Sequence, residues 1–147
     1  MTSRLSPSRL LDLNVSHDAL FSTIGALVKE WEFLRMKLTI EEKDGILVVR
    51  PDVSRIDATV AVPLKTELSQ QVAAGHWYIA VDLGGVDFID SSGLGALATV
   101  RKQLGGSGAL ALYGIQPTVK SMFKLTRMDK VFAIFDNEED ALSSIMG

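Results

Sequence analysis

The chemistry this chain can offer is concentrated in Asp90-Ser91-Ser92-Gly93. Two hydroxyls stand beside a carboxylate. An apolar run, Tyr78-Ile79-Ala80-Val81-Asp82-Leu83, leads toward them, and an apolar-periodic stretch from Leu94 to Leu104 that reads as a helix follows. A helix N-terminus carries unpaired backbone N–H groups and about half a positive charge, so a hydroxyl placed there is well suited to carry a phosphate. The alternative is a plain Ser N-cap without chemistry. Serine is a weak nucleophile unaided. The loop holds no His or Lys to activate Ser91, and there is no Gly-x-Ser-x-Gly elbow because position 89 is Ile. These residue types make Ser91 a poor hydrolase nucleophile, though a hydroxyl so placed would suit as an acceptor for another protein's kinase, and the chain is expected not to be an enzyme. Asp90 either orients the hydroxyl or contacts a partner, or it caps the helix. Asp57, ahead of another helical stretch, reads first as a cap.

Composition removes other chemistries. The 147 residues suffice for one domain with a core, and 47% hydrophobic with 22% charged content is that of an ordinary globular chain. A net charge of −3 without a Lys/Arg cluster gives no reason to expect nucleic-acid binding. There is no cysteine, hence no disulfide and no thiolate, as a cytoplasmic protein permits. His17 and His76 are the only imidazoles, so neither a metal site nor a His-based triad is expected, and no cofactor. No apolar run approaches the roughly 18 residues of a membrane span, and Met1-Thr2-Ser3-Arg4-Leu5 does not open a signal peptide. Gly84-Gly85 and Gly105-Gly106-Ser107-Gly108 lack the Gly-Lys-Ser/Thr of a P-loop and read as turns. Met122, Phe123 and Met128 could form an adaptable docking patch, but helical spacing favours core packing for Phe123.

The elements that must position the loop follow from periodicity. Leu20, Ile24, Leu27, Val28, Trp31 and Leu34 share one stripe and predict an amphipathic helix over about 17–34 within an N-terminal extension, 1–35. From residue 36 the pattern is α/β. Strands are expected over 37–42 and 46–50 around a Lys43-Asp44-Gly45 turn. A helix follows over 58–74, with Val62, Leu64, Leu68 and Val72 inward and Gly75 as its stop. A strand buried on both faces is expected over 77–83, a strand over 109–113 and a helix from Pro117 to Leu125. A strand over 131–135 and a helix over 138–145 close the chain. The order β-β-α-β-α-β-α-β-α implies a mixed sheet packed with helices.

Asp90-Ser91-Ser92-Gly93-Leu94-Gly95 after an apolar strand resembles the phosphorylation loop of STAS domains, the fold of bacterial anti-sigma factor antagonists. Val53-Ser54-Arg55-Ile56-Asp57-Ala58 is similar to the family's Gly-Arg-Leu-Asp-Ala segment, with Ser54 in place of glycine. Tyr113-Gly114-Ile115-Gln116-Pro117, Phe123-Lys124-Leu125-Thr126 and Glu138-Glu139-Asp140-Ala141-Leu142 continue the likeness. It implies a STAS domain over 36–147, with the order above as that of the STAS fold. It implies Ser91 as the phosphorylated residue and Asp57, Asp90, Ser91, Ser92 and Gly93 on a partner-binding surface. The implied partner is an anti-sigma factor that is itself a GHKL-type serine kinase using ATP and magnesium. Binding by the unphosphorylated chain frees the sigma factor, phosphorylation switches the chain off, and a phosphoserine phosphatase resets it. The rival expectation is a STAS accessory subunit of a transporter or signalling complex without a phosphorylation cycle. The N-terminal helix could join two copies into a homodimer.

Overall fold

The computed structural model describes residues 37–147; the helix expected over 17–34 lies outside the described residues. Strand β1 (Leu38–Lys43) turns back into β2 (Ile46–Pro51) through Asp44 and Gly45, whose φ values of 54° and 81° are those of a two-residue hairpin turn. Then come β3 (Arg55–Ile56), α1 (Ala58–Ala73), β4 (Tyr78–Asp82) and β5 (Phe88–Ile89). Helix α2 (Ser91–Leu104), β6 (Ala109–Tyr113) and α3 (Pro117–Leu125) follow, and a single 3₁₀ turn, Met128–Lys130, leads to β7 (Ala133–Phe135) and α4 (Glu138–Met146).

The main sheet has the order β1-β2-β4-β6-β7, with β1 antiparallel to β2 and every other pair parallel. This is the expected mixed sheet. Alternation along the strands sorts residues into two layers. Leu47, Val49, Ile79, Val81, Leu110 and Leu112 pack in one core with the apolar faces of α1, α2 and α3. Ile46, Ala80, Ala111 and Tyr113 face the other way and are covered by Ala141, Leu142 and Ile145 of α4. Phe123 is fully buried and meets Phe132 edge-on at 5.8 Å, while Met122 and Met128 pack against the core, so core packing accounts for this trio.

Several expectations need correction. Val62 was expected inward but is 53% exposed, because Val60, Ala61, Leu64, Leu68 and Val72 already form the buried stripe of α1. The strand expected over 77–83 runs Tyr78–Asp82, and both aromatics are exposed; Ile79, Ala80 and Val81 are buried on both faces, and Leu83 is buried just past the strand end. The last strand is shorter than 131–135 because the 3₁₀ turn takes up the approach to it. Helix α2 begins three residues before Leu94. A second, two-stranded sheet, β3 with β5, was not anticipated.

The hairpin is tied to α4 by one carboxylate. Glu138 accepts from Lys43 Nζ at 2.6 Å and from the Tyr113 hydroxyl at 3.1 Å. Burial pushes the Tyr113 hydroxyl up and keeps it a donor. The hydrogen bond from Lys43 holds the Glu138 carboxyl below its ordinary value of 4.5. A carboxyl depressed in the folded state contributes stability that is present above its unfolded pKa and is lost as pH falls through the folded one. Thermal melts from neutral pH downward are therefore expected to stay level until about pH 4.5 and fall below it. Glu138→Gln should flatten that acid limb; an unchanged limb would assign it to other carboxyls.

Candidate functional site

Two copies of one local design stand side by side. Arg55-Ile56-Asp57-Ala58-Thr59 and Phe88-Ile89-Asp90-Ser91-Ser92 each run from a two-residue strand through an aspartate into a helix. The strands pair in parallel, Arg55 with Phe88 and Ile56 with Ile89, and the Asp90 N–H donates to the Ile56 carbonyl at 3.2 Å. Ile56 and Ile89 are buried anchors. The two helices consequently start next to each other, and α1 and α2 pack along their length.

Each aspartate is an N-cap. Asp57 Oδ1 accepts from the Thr59 N–H at 3.1 Å and from the Thr59 hydroxyl at 2.6 Å. The Thr59 hydroxyl, more than any other group, holds the Asp57 carboxyl below its ordinary value, and the Arg55 charge adds to this. Asp90 Oδ1 accepts from the Ser92 N–H at 2.9 Å and the Gly93 N–H at 3.2 Å. Ser91 is therefore not the cap but the first helical residue; it is exposed, and among the described residues its hydroxyl makes no hydrogen bond.

Ser92 is also exposed but turns another way, since it lines a shallow groove between α1 and α2 with Ala58, Ala61, Val62, Lys65, Gly95, Ala96 and Thr99. Small side chains on both walls and the exposed Val62 give this groove an apolar floor at the foot of the loop. Gly93 faces inward. A Cβ there would lie 2.6 Å from Ile89 Cγ1 and 2.8 Å from Ile56 Cγ2, so glycine lets α2 start directly on the β3–β5 pair. A Cβ on Gly95 would meet nothing within 4 Å. Of the five residues expected at the partner surface, the structure brings Asp57, Asp90, Ser91 and Ser92 together at the joined helix starts, and it buries Gly93 beneath them.

Neighbouring polar groups fix the loop. The Ser54 carbonyl accepts from Asp87 N–H at 2.8 Å and Phe88 N–H at 3.2 Å. Thr118 Oγ1 donates to the Asp87 carbonyl, and Gln116 Nε2 donates to the Gly84 carbonyl. Ser54 is not among the residues with positive φ, so this turn does not require the glycine it replaces. Sequence reasoning passed over Phe88, Thr118 and the groove. The echo of x-Ile-Asp before both helices was the available signal for the paired strands.

A family model described as STAS domain matches residues 37–141. The chain belongs to the STAS domain family. Among its relatives, BtrV of Bordetella bronchiseptica, named as a candidate anti-sigma factor antagonist, is 32% identical over 110 residues, which span 74% of this chain and 94% of that protein. RsfB of Mycobacterium tuberculosis, an anti-sigma-F factor antagonist, is 26% identical over 110 residues, 75% of this chain and 89% of its own. The crystal structure of an anti-sigma factor antagonist from Mycobacterium paratuberculosis superposes with a TM-score of 0.69 at 28% identity, covering 75% of this STAS chain and 93% of that one. The expected STAS fold is thus the fold observed.

Proposed function

We propose that this STAS protein is an anti-sigma factor antagonist switched by phosphorylation of Ser91. The observation that carries the reading is the placement of Ser91: exposed, first in α2, with a hydroxyl that makes no hydrogen bond among the described residues, next to the groove between α1 and α2. The unphosphorylated chain binds an anti-sigma factor, which releases its sigma factor. That partner is a GHKL-type serine kinase and brings base, ATP and magnesium, since transfer to a hydroxyl needs positioning and charge stabilisation that this chain does not supply. A phosphoserine phosphatase reverses the step. The whole cycle belongs in the cytoplasm, where no step needs catalysis by the STAS domain over 36–147.

Asp90 has a defined part in the switch. Its carboxylate already occupies the Ser92 and Gly93 N–H donors. A phosphate on Ser91 therefore finds those donors of the α2 N-terminus taken and faces the carboxylates of Asp90 and Asp57 instead. With the cognate kinase and ATP, phosphopeptide mapping should place the phosphate on Ser91 and not on Ser92, whose side chain faces the groove. Modification of Ser92 alone would overturn the assignment.

A further inference from the structure

The site has one charged group whose role is still open. Arg55 is the only cation within residues 52–60 and 84–95, against the carboxylates of Asp52, Asp57, Asp87 and Asp90. Its guanidinium does not pair with any of them: among the described residues it forms no ion pair, although its charge is felt at Asp57. It lies instead over the ring of Phe88, 4.0 Å from the centroid, directly across the β3–β5 pair. Both Arg55 and Phe88 point away from the core side that Ile56 and Ile89 occupy.

Stacking uses the flat face of a guanidinium and leaves the N–H donors at its edge open. Arg55 is exposed, so these donors face solvent where a partner arrives. A free arginine gives up much rotamer freedom on binding. One already held on an aromatic ring has given up part of it, so an anion meeting it loses less to ordering. Lys65 lines the groove further along α1, but at the joined helix starts, where the charges are otherwise carboxylates, a placed cation gives selectivity for an anionic group of the partner.

We infer that Arg55, held on Phe88, is a specificity-determining contact of the Ser91 surface, taking an oxyanion from the docked kinase: a carboxylate of that protein or a phosphate of its bound nucleotide. This rests on the reading that an anti-sigma factor kinase docks here. Titration calorimetry would compare wild type, Arg55→Ala, Arg55→Lys and Phe88→Leu against the cognate anti-sigma factor, nucleotide-free and ADP-bound, at low and high salt, with thermal melts of each variant. Arg55→Ala should lose about tenfold in affinity or more, as removal of a charge-assisted bond does, with an unchanged melt and a shallower salt dependence. Arg55→Lys should keep part of the affinity, because it retains charge without the planar fork. Phe88→Leu should lose less than Arg55→Ala. A loss that is equal with and without ADP identifies a carboxylate, and a loss confined to the ADP-bound partner identifies a phosphate. Wild-type affinity of Arg55→Ala in both states, while Ser91→Asp still blocks binding, overturns the role of Arg55 and leaves the proposed function standing. Failure of the wild type itself to bind removes both.

Discussion

Ser91→Asp is expected to weaken binding to the anti-sigma partner about hundredfold, whereas Ser91→Ala should bind as wild type and accept no phosphate. The contrast follows from the position of the residue. Ser91 is the first residue of α2 and Asp90 is the cap, so alanine removes an exposed hydroxyl and leaves the capping bonds intact. Aspartate adds a charge to a surface that already holds Asp57 and Asp90. Two unit charges about 5 Å apart at an effective dielectric near 20 repel by roughly 3 kcal/mol, less after screening by salt. A phosphate carries up to about twice the charge and more bulk. Burying that charge under a partner adds desolvation, and each 1.4 kcal/mol or so is tenfold in affinity. Calorimetric titration checks this directly, and circular dichroism melts should show both variants folded with little change, as for most surface substitutions. Equal affinities for the two folded variants would leave no electrostatic switch at Ser91 and favour an accessory role without phosphorylation.

The parts of this fold that were legible in the sequence are those where a local pattern and the tertiary environment agree. Asp44-Gly45 between two strands specifies its turn by backbone conformation alone. Gly75, with φ of 101°, ends α1 as its position suggests. The Asp-Ser-Ser-Gly motif marked the candidate site at the start of α2. The illegible parts are set by contacts between distant segments. Two residues such as Arg55-Ile56 have no periodicity of their own, and they become a strand because Phe88-Ile89 lies beside them. Val62 lies within an apolar stretch, but the Val60, Leu64 and Leu68 stripe had already fixed the orientation of α1. Assigning the cap to Asp90 rather than Ser91 depended on where α2 starts, which is a property of its packing on Ile56 and Ile89. The groove beside Ser92 is lined largely by Ala58, Ala61, Gly95 and Ala96, which carry no chemical signature in a sequence.

Gly93 and Gly95, two residues apart in one motif, are expected to respond in opposite ways to the same substitution. Gly93→Ala places a methyl against Ile89 Cγ1 and Ile56 Cγ2, at 2.6 and 2.8 Å in the unrelaxed geometry. Both neighbours are β-branched and buried, so neither can swing aside as a long flexible side chain would. Relief requires the start of α2 to lift from the β3–β5 pair, and overpacking of this kind costs about 1–3 kcal/mol. Denaturant unfolding should show that loss, with partner affinity falling because Ser91 and the Asp90 cap move with the helix. At Gly95 nothing lies within 4 Å of the added Cβ, and alanine is the better helix former by up to about 1 kcal/mol. Gly95→Ala should therefore leave stability unchanged or raise it. Gly95 lines the groove between α1 and α2, so the same methyl should obstruct a partner seated there and lower its affinity. A Gly93→Ala protein as stable as wild type would mean that the helix start is looser than its contacts indicate. A Gly95→Ala protein with full affinity would place the partner on the Ser91 loop without entry into the groove.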